Sequence, residues 1–234
     1  YFNSDDTLAY QNMSGSSNDW KWQTTRVFKD TSQWHHVVIG IDSDQASDSN
    51  KIKLEINGET ITAFSTQTYP STNADQDFGR AYKTWIGVNW KDNGTLDHYY
   101  DGYLADFHFV HGQKLDASYF GQTDTSTEKW IPKTFTGNHG QNGFHLEFLN
   151  NVVVADSANT NSFTPVNLTT ANTVIDTPTK SFCTLDSNRN SVGTLRQGNL
   201  KMITGSGSGF NNKSVYSNFT IPDRGKWYWE MDNE

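Results

Sequence analysis

The most informative shortages in this sequence are of cysteine, of basic residues and of long apolar runs. The one cysteine, Cys183, cannot form an internal disulfide or a cysteine-based zinc site, which excludes the framework of small disulfide-rich domains. The 18 Lys and Arg residues are outnumbered by 26 Asp and Glu, with a formal charge of −8, so we expect no nucleic-acid partner. No run approaches the roughly 18 apolar residues of a membrane span, and we expect no membrane insertion.

What the sequence does contain is short stretches in which apolar and polar residues alternate. Residues 101–109 place one set of side chains on one strand face, Tyr103, Ala105, Phe107 and Phe109, and another on the opposite face, Asp106 and His108. Similar strands are predicted at 8–13, 20–28, 34–42, 84–90, 144–148, 180–185, 198–203 and 225–231. No helical period separates them, so the sequence predicts an all-β protein built as an antiparallel sandwich.

The clearest local element is a β-hairpin. Ile52, Leu54 and Ile56 share one face, and Asn57-Gly58 then predicts a type I′ turn, after which the return strand begins. A long polar loop is predicted at 65–79 and one helical turn at 115–121. Asn-Gly is turn chemistry, so this hairpin is not a predicted functional site.

The composition changes after residue 149, where Asn, Ser, Thr and Ala replace most large apolar residues. Such a change is typical of a domain boundary. We therefore predict a first domain at 1–149, a linker at 150–173 and a second domain at 174–234. Because both ends of the chain read as unfinished strands, we expect a segment of a longer polypeptide.

The order of four motifs in the first domain resembles a known superfamily. These motifs are QWHHVVIGID at 33–42, KLEINGETI at 53–61, WIGVN at 85–89 and YYDGYLADFHFVHGQKLDASYFG at 99–121, followed by GNHGQNGFHLEF at 137–148. Together they resemble the laminin-G-like, concanavalin A-like lectin and glucanase superfamily, in the version frequent in bacteriophage virion and tail proteins. The segments DTPTKSFCTLD, GNLKM and GKWYWEM, from residue 176 onward, resemble the opening third of a SPRY domain.

This resemblance implies a jelly-roll sandwich, followed by the linker and part of a second sandwich. It implies a non-catalytic module of a phage virion, in a tail fibre, tail-associated or decoration protein, that binds surface glycans or neighbouring virion proteins. The module would lie on the particle surface as part of an oligomeric assembly. Two alternatives remain open, a glycoside hydrolase or depolymerase of the glucanase type and a purely structural spacer.

Sugar binding requires aromatic rings beside carboxylates and amides, because sugar C–H faces stack on rings while hydroxyls need hydrogen-bond partners. The loop at 90–101 supplies such side chains, namely Trp90, Asp92, Asn93, Asp97, His98, Tyr99 and Tyr100. Asp106 and His108 join them by resemblance, on the outer face of a lectin-like sheet. In the alternative interpretation Tyr99 and Tyr100 begin the next strand and pack in the core.

No cofactor is predicted, and metal and catalytic sites are alternatives only. Some relatives hold calcium with loop oxygens, and Asp42, Asp44 and Asp48 lie in one acidic loop, although the EF-hand spacing is missing. The adjacent residues His35 and His36 point to opposite strand faces and cannot share a metal ion.

The carboxylates of Glu230, Asp232 and Glu234 have the E-x-D-x-E spacing of retaining glucanases on a similar sandwich. The preceding residues instead match the SPRY strand, and Asn233 stands where those glucanases have an apolar residue. We therefore predict that the chain is not an enzyme.

Overall fold

The computed structural model describes most of the chain. The described residues are 1–14, 17–30, 33–75, 78, 84–90, 95–126, 128–149, 154–180, 182–191, 193–204, 214–221 and 223–231. At 13–14, 17–18, 90 and 204 the description covers the backbone only.

Strands make up nearly all of the regular structure of the described residues. They are β1 (Thr7–Ser14), β2 (Ser17–Val27), β3 (Val37–Ile41), β4 (Ile52–Ile56), β5 (Glu59–Thr60), β6 (Phe64–Gln67), β7 (Asn89–Trp90), β8 (Leu96–Asp97), β9 (Phe107–Phe109), β10 (Gly121–Thr123), β11 (Trp130–Pro132), β12 (Phe144–Leu146), β13 (Leu185–Asn190), β14 (Gly193–Arg196), β15 (Lys201–Thr204) and β16 (Val215–Ser217). The helical elements in this part of the chain are short 3₁₀ turns at Asp48–Asn50, Ala117–Tyr119 and Thr170–Asn172. The all-β prediction is therefore confirmed.

The strands form small, separate sheets in which all pairs are antiparallel. Two sheets have three strands, in the orders β1-β2-β6 and β3-β4-β5, and the other described strands form pairs. Two compact units result, one comprising Tyr1–Lys29, Trp34–Thr173 and Thr177–Thr179, the other Asp30–Gln33, Val174–Asp176 and Lys180–Glu234. The described part of the predicted linker, 154–173, thus belongs to the first unit.

The core of the first unit takes its side chains from both three-stranded sheets. Alternation along β2 buries Trp20, Trp22 and Thr24, and alternation along β4 buries Ile52, Leu54 and Ile56. Leu8 and Ile61 complete this cluster of buried residues, with rings such as Tyr10, Phe28, Phe64 and Tyr69 packed around it. Burial of each large side chain contributes about 1.5 to 3 kcal/mol, so this core stabilises both sheets together.

The predicted hairpin forms as expected. Asn57 and Gly58 both have positive φ angles, 51° and 78°, as a type I′ turn requires. The turn joins β4 to the short strand β5. The predicted helical turn is also present, as the 3₁₀ turn whose first backbone groups are capped by Asp116, which accepts from the Ser118 N–H.

Several segments depart from their predicted structure, among them the strand predicted at 101–109 and the loop predicted at 65–79. Within the strand predicted at 101–109, β9 alone is paired as a strand, and Asp106, just before it, has a left-handed φ of 47°. Tyr103, expected on the core face, is 42% exposed. The polar loop predicted at 65–79 contains most of β6, whose residues pair with β2.

In the second unit β13 pairs with β16 and β14 pairs with β15. The strand predicted at 225–231 is not present there. Among the described residues this segment has no strand partner, and its rings are uncovered, with Trp227, Tyr228 and Trp229 exposed to 58%, 85% and 70%. A strand without a partner lacks the hydrogen bonds that hold it extended, which accounts for the difference.

The described residues contain no helix that is both long enough and apolar enough to span a membrane.

Candidate functional site

Strands β9 and β12 form a two-stranded ladder with two unlike faces. The register places Phe144 opposite Phe109, His145 opposite His108 and Leu146 opposite Phe107. Because side chains alternate along a strand, the aromatic and leucine side chains share one face and the two histidines share the other. On the apolar face Phe107 stacks on Phe144 with an angle of 5° between the rings. These ring contacts hold the ladder at its apolar face, and the two histidines lie on the opposite face.

The histidine face carries a stack of imidazole rings. The rings of His108 and His145 are nearly parallel, with centroids 3.8 Å apart. His139, from the loop before β12, stands beside His108, and its Nε2 atom lies 3.0 Å from the His108 Nδ1 atom, at hydrogen-bond distance. Phe120 and Phe135 pack against His108 on its remaining sides.

Asp106 brings a carboxylate to this stack. Its Oδ1 atom lies 3.2 Å from the Nε2 atom of His145, and the His145 Nδ1 atom lies 2.9 Å from the Ser157 hydroxyl. The hydrogen bond from His145 lowers the pKa of Asp106, and the nearby imidazoles act in the same direction against the effect of burial. The carboxylate is therefore ionised at neutral pH.

The imidazole of His108 is held in its neutral form. Burial, and then the neighbouring rings of His145 and His139, lower the pKa of His108 to about 4. Burial also lowers the pKa of His139. At neutral pH both rings are therefore neutral, and each has one N–H and one nitrogen lone pair, so one ring can donate to the other.

A second aromatic assembly surrounds Trp130 of β11. Its Nε1–H donates to the Nδ1 atom of His36 over 2.9 Å, and the two rings are stacked with an angle of 17° between them. This hydrogen bond requires an unprotonated Nδ1 atom, and burial lowers the pKa of His36 despite the nearby charges of Glu55 and Asp106. His36 is therefore fixed as a neutral acceptor.

Predicted ligand residues also lie in the tyrosine segment, which comprises residues 97–103. Tyr99 is 66% exposed, and Tyr100 and Tyr103 are each 42% exposed. The Tyr100 backbone N–H donates to the Gly87 carbonyl over 2.7 Å, and the Asp97 carboxylate accepts from the His98 N–H over 2.8 Å. Burial, with a contribution from the Asp101 charge, raises the pKa of Tyr100. The segment thus presents aromatic rings and carboxylates to solvent on a fixed backbone.

The described residues of the predicted ligand-binding set lie in two places. Asp97, His98, Tyr99 and Tyr100 lie in the tyrosine segment. His108 belongs to the imidazole stack, which comprises the rings of His108, His139 and His145, and Asp106 contacts that stack through His145. Asp92 and Asn93 lie outside the described residues, as does the side chain of Trp90.

Two of the three predicted calcium residues, Asp42 and Asp48, have carboxylates that already contact nearby groups. Asp48 forms an ion pair of 2.7 Å with the buried Lys51, and Asp42 accepts from the Gln45 side chain and from the Asp44 N–H. Across the described residues one group of three metal-ligating side chains has ligand atoms that all lie within 4.8 Å of one another, and that group is Asp106, His108 and His145.

Of the alternative catalytic carboxylates, Glu230 is exposed and accepts a hydrogen bond of 2.9 Å from the Tyr228 hydroxyl. It lies outside any described strand. Asp232 and Glu234 lie outside the described residues.

A cleft of about 650 Å³ opens beside the core of the first unit. Trp22, Phe64 and Tyr69 contribute rings to its lining, and Lys53 and Lys114 contribute charge. The cleft is a concave surface open to solvent and lined by both aromatic and charged side chains.

Sequence reasoning missed the imidazole stack as a group. The signal was present in the FHF and FHL triplets of residues 107–109 and 144–146, in which histidine alternates with large apolar residues. To use it, one must know that these two strands pair, and in which register.

Comparison with protein-family models, with curated proteins and with solved structures gives no match to this chain.

Proposed function

We propose that this chain is a non-catalytic, glycan-binding module of a bacteriophage particle. In this proposal the first unit belongs to a jelly-roll sandwich of the concanavalin A-like kind and the second unit opens a SPRY-like sandwich. The proposal rests on the motif order of residues 33–148 and on the exposed rings of the tyrosine segment. It places the protein on the surface of the virion, within an oligomeric assembly that contacts host glycans or neighbouring virion proteins.

The observation that carries the binding proposal is the exposure of Tyr99, Tyr100 and Tyr103. Rings that served only to fill the core would be covered, and Tyr99 is instead 66% exposed. An exposed tyrosine offers an apolar face for sugar C–H groups and a hydroxyl for sugar oxygens. The carboxylates of Asp97 and Asp101 stand next to these rings in the chain and can accept hydrogen bonds from sugar hydroxyls.

The fixed backbone of the tyrosine segment also favours binding. The Tyr100 N–H is tied to the Gly87 carbonyl, and the Tyr100 ring lies against Gly102. Binding to groups that are already positioned avoids part of the entropy cost of ordering them. Individual contacts would still be weak, and several copies on one particle would raise the avidity by about 10² to 10⁴.

The test is binding of the multimerised chain to an array of bacterial surface glycans, beside the double variant Tyr99→Ala, Tyr103→Ala. We expect the two rings together to contribute at least about 1.4 kcal/mol to the binding free energy, which corresponds to a factor of ten in affinity. The double variant is therefore expected to bind about tenfold more weakly or worse. The matched control is Tyr119→Ala, which removes a 49% exposed tyrosine elsewhere in the same unit. The Tyr119→Ala control is expected to bind as the wild type does. The proposal fails if the folded wild type binds no glycan, or if the double variant binds as tightly as the wild type and the control.

A further inference from the structure

We propose that Asp106, His108 and His145 form a binding site for a divalent transition-metal ion, with zinc as the metal that the ligands suit best. One ligand atom from each side chain can be chosen such that all lie within 4.8 Å of one another. Two imidazole nitrogens and one carboxylate oxygen are zinc ligands, whereas calcium and magnesium prefer sites made of oxygen alone. The proposal is independent of the glycan-binding proposal.

One edge of the site already has the required length. Zinc bonds of about 2.0 to 2.1 Å in tetrahedral geometry place two ligand atoms roughly 3.3 Å apart. The Asp106 Oδ1 atom and the His145 Nε2 atom lie 3.2 Å apart. These two atoms can therefore hold one ion between them without moving apart.

The third ligand requires a ring rotation. His108 and His145 are stacked with an angle of 13° between the rings. An ion bound to an imidazole lies close to the plane of the ring, and nearly parallel planes do not meet within bonding distance. Metal binding therefore turns at least one of the two rings out of the stack, and this turn is measurable.

The second ring nitrogens are positioned as those of metal-bound histidines are. The His108 Nδ1 atom is 3.0 Å from His139 Nε2, and the His145 Nδ1 atom is 2.9 Å from the Ser157 hydroxyl. A metal-bound histidine commonly donates its other N–H to such a polar partner, which fixes the tautomer. With Nδ1–H as the donor, Nε2 is the nitrogen left for the metal in both rings, and in His145 zinc takes the place of the proton that Nε2 donates to Asp106.

The backbone supports the same assignment. Direct pairing of His108 with His145 across β9 and β12 fixes the distance between the two histidines. Asp106 has a φ of 47°, a left-handed conformation that Asp adopts more readily than most residues, and in it the carboxylate reaches His145.

The site is accessible and has suitable charge. The Asp106 side chain is 47% exposed and the His145 side chain 17%, so an ion can enter from solvent. Imidazole binds a metal ion through a nitrogen lone pair, so two imidazoles and one carboxylate give the metal-bound ligand set a charge of −1, which suits a dication. Three protein ligands leave a tetrahedral ion one position for water or for a ligand atom.

The experiment is calorimetric titration of the tag-free full chain, stripped with chelator, with ZnCl₂ at pH 7.5. We expect one zinc ion per chain. Asp106→Asn and His145→Gln each remove a ligand and are expected to weaken binding at least tenfold, and Ser157→Ala about tenfold through loss of the outer hydrogen bond. His98→Gln is the matched control, since His98 lies outside the stack and its side chain is 73% exposed.

A second measurement keeps the test decisive if a variant does not fold. Histidine ring nitrogens of the wild type are followed by NMR as zinc is added, and the Nε2 signals of His108 and His145 are expected to shift most. Absence of binding by the folded wild type at 100-fold excess zinc overturns the proposal. Zinc-induced shifts centred on His98 or His111, or unchanged affinity in folded ligand variants, overturn it as well.

Discussion

At the scale of single residues, several histidines of the first unit are used as uncharged aromatic groups. His36 stacks on Trp130 and accepts its indole N–H, and His108 stacks on His145 and borders Phe120. Burial lowers the pKa of both His36 and His108. Each of these contacts is thus favoured by the neutral ring and opposed by the protonated ring.

The first prediction concerns the pH dependence that His36 imposes. Its pKa is lower in the folded protein than its ordinary value of 6.5, so at acid pH the unfolded chain binds the proton more readily. The contribution of His36 to stability is therefore fully present above about pH 6.5 and is lost progressively as the pH falls below it. Protonation also removes the acceptor for Trp130, a hydrogen bond worth about 1 kcal/mol.

The measurement is the free energy of unfolding in denaturant between pH 7.5 and 5 for the wild type and His36→Gln. Glutamine retains an oxygen that can accept from Trp130 and does not titrate. The variant is expected to lose less stability than the wild type over this range. Parallel curves for the two proteins would show that His36 does not contribute in this way.

At the scale of elements, the hairpin between β4 and β5 is held by its turn and by a ring from a distant strand. Trp130 of β11 lies so close to Gly58 and to Gly121 that a Cβ atom at either position would overlap its ring. Gly58 also needs its positive φ of 78° for the type I′ turn. Gly58 thus has two separate reasons to be glycine.

The second prediction separates those two reasons. Gly58→Ala is expected to destabilise the protein by about 2 to 4 kcal/mol, from backbone strain and from overlap with Trp130. Gly112 has a similar φ of 81° with open space around it. Gly112→Ala is therefore expected to cost only the strain, about 1 kcal/mol. Equal free energies of unfolding for the two variants, measured by urea denaturation, would contradict the packing role of Trp130.

Local elements could be predicted from the sequence, and long-range pairings could not. The Asn57-Gly58 turn and the turn capped by Asp116 depend on residues close in sequence, and both were predictable. Of the strand predicted at 101–109, only β9 forms. Asp106, just before β9, has a left-handed conformation that no local pattern specifies. The imidazole stack depends on the register of β9 with β12, strands that are separated by more than thirty residues.

The candidate site follows the same division. The exposure of Tyr99 was one of two open interpretations, because the alternation of residues 99–109 equally fitted a strand packed in the core. Whether Tyr99 is exposed or packed in the core depends on where the strands begin and end, and tertiary contacts set those positions. His139 and Ser157 reach the histidines of the β9–β12 ladder from loops. The alternation of apolar and polar residues does not predict the paths of loops.

At the scale of the whole molecule, the two compact units are all-β and are built from small sheets. The core of the first unit is supplied by two three-stranded sheets, and both the tyrosine segment and the imidazole stack belong to this unit. We propose that the tyrosine segment contacts glycans and that the imidazole stack, with Asp106, binds a metal ion. These assignments involve different side chains and can fail separately.

The most direct test of glycan binding is saturation-transfer NMR on the whole chain with a mixture of bacterial surface oligosaccharides, with irradiation of the aromatic protons only. We expect transfer to sugar C–H protons, because these would lie on the rings of Tyr99 and Tyr103. We expect the Tyr99→Ala, Tyr103→Ala variant to lose most of this transfer while keeping its unfolding midpoint. Transfer of unchanged strength in the variant would place the sugar elsewhere, for example in the cleft lined by Trp22, and no transfer in the folded wild type would contradict glycan binding itself.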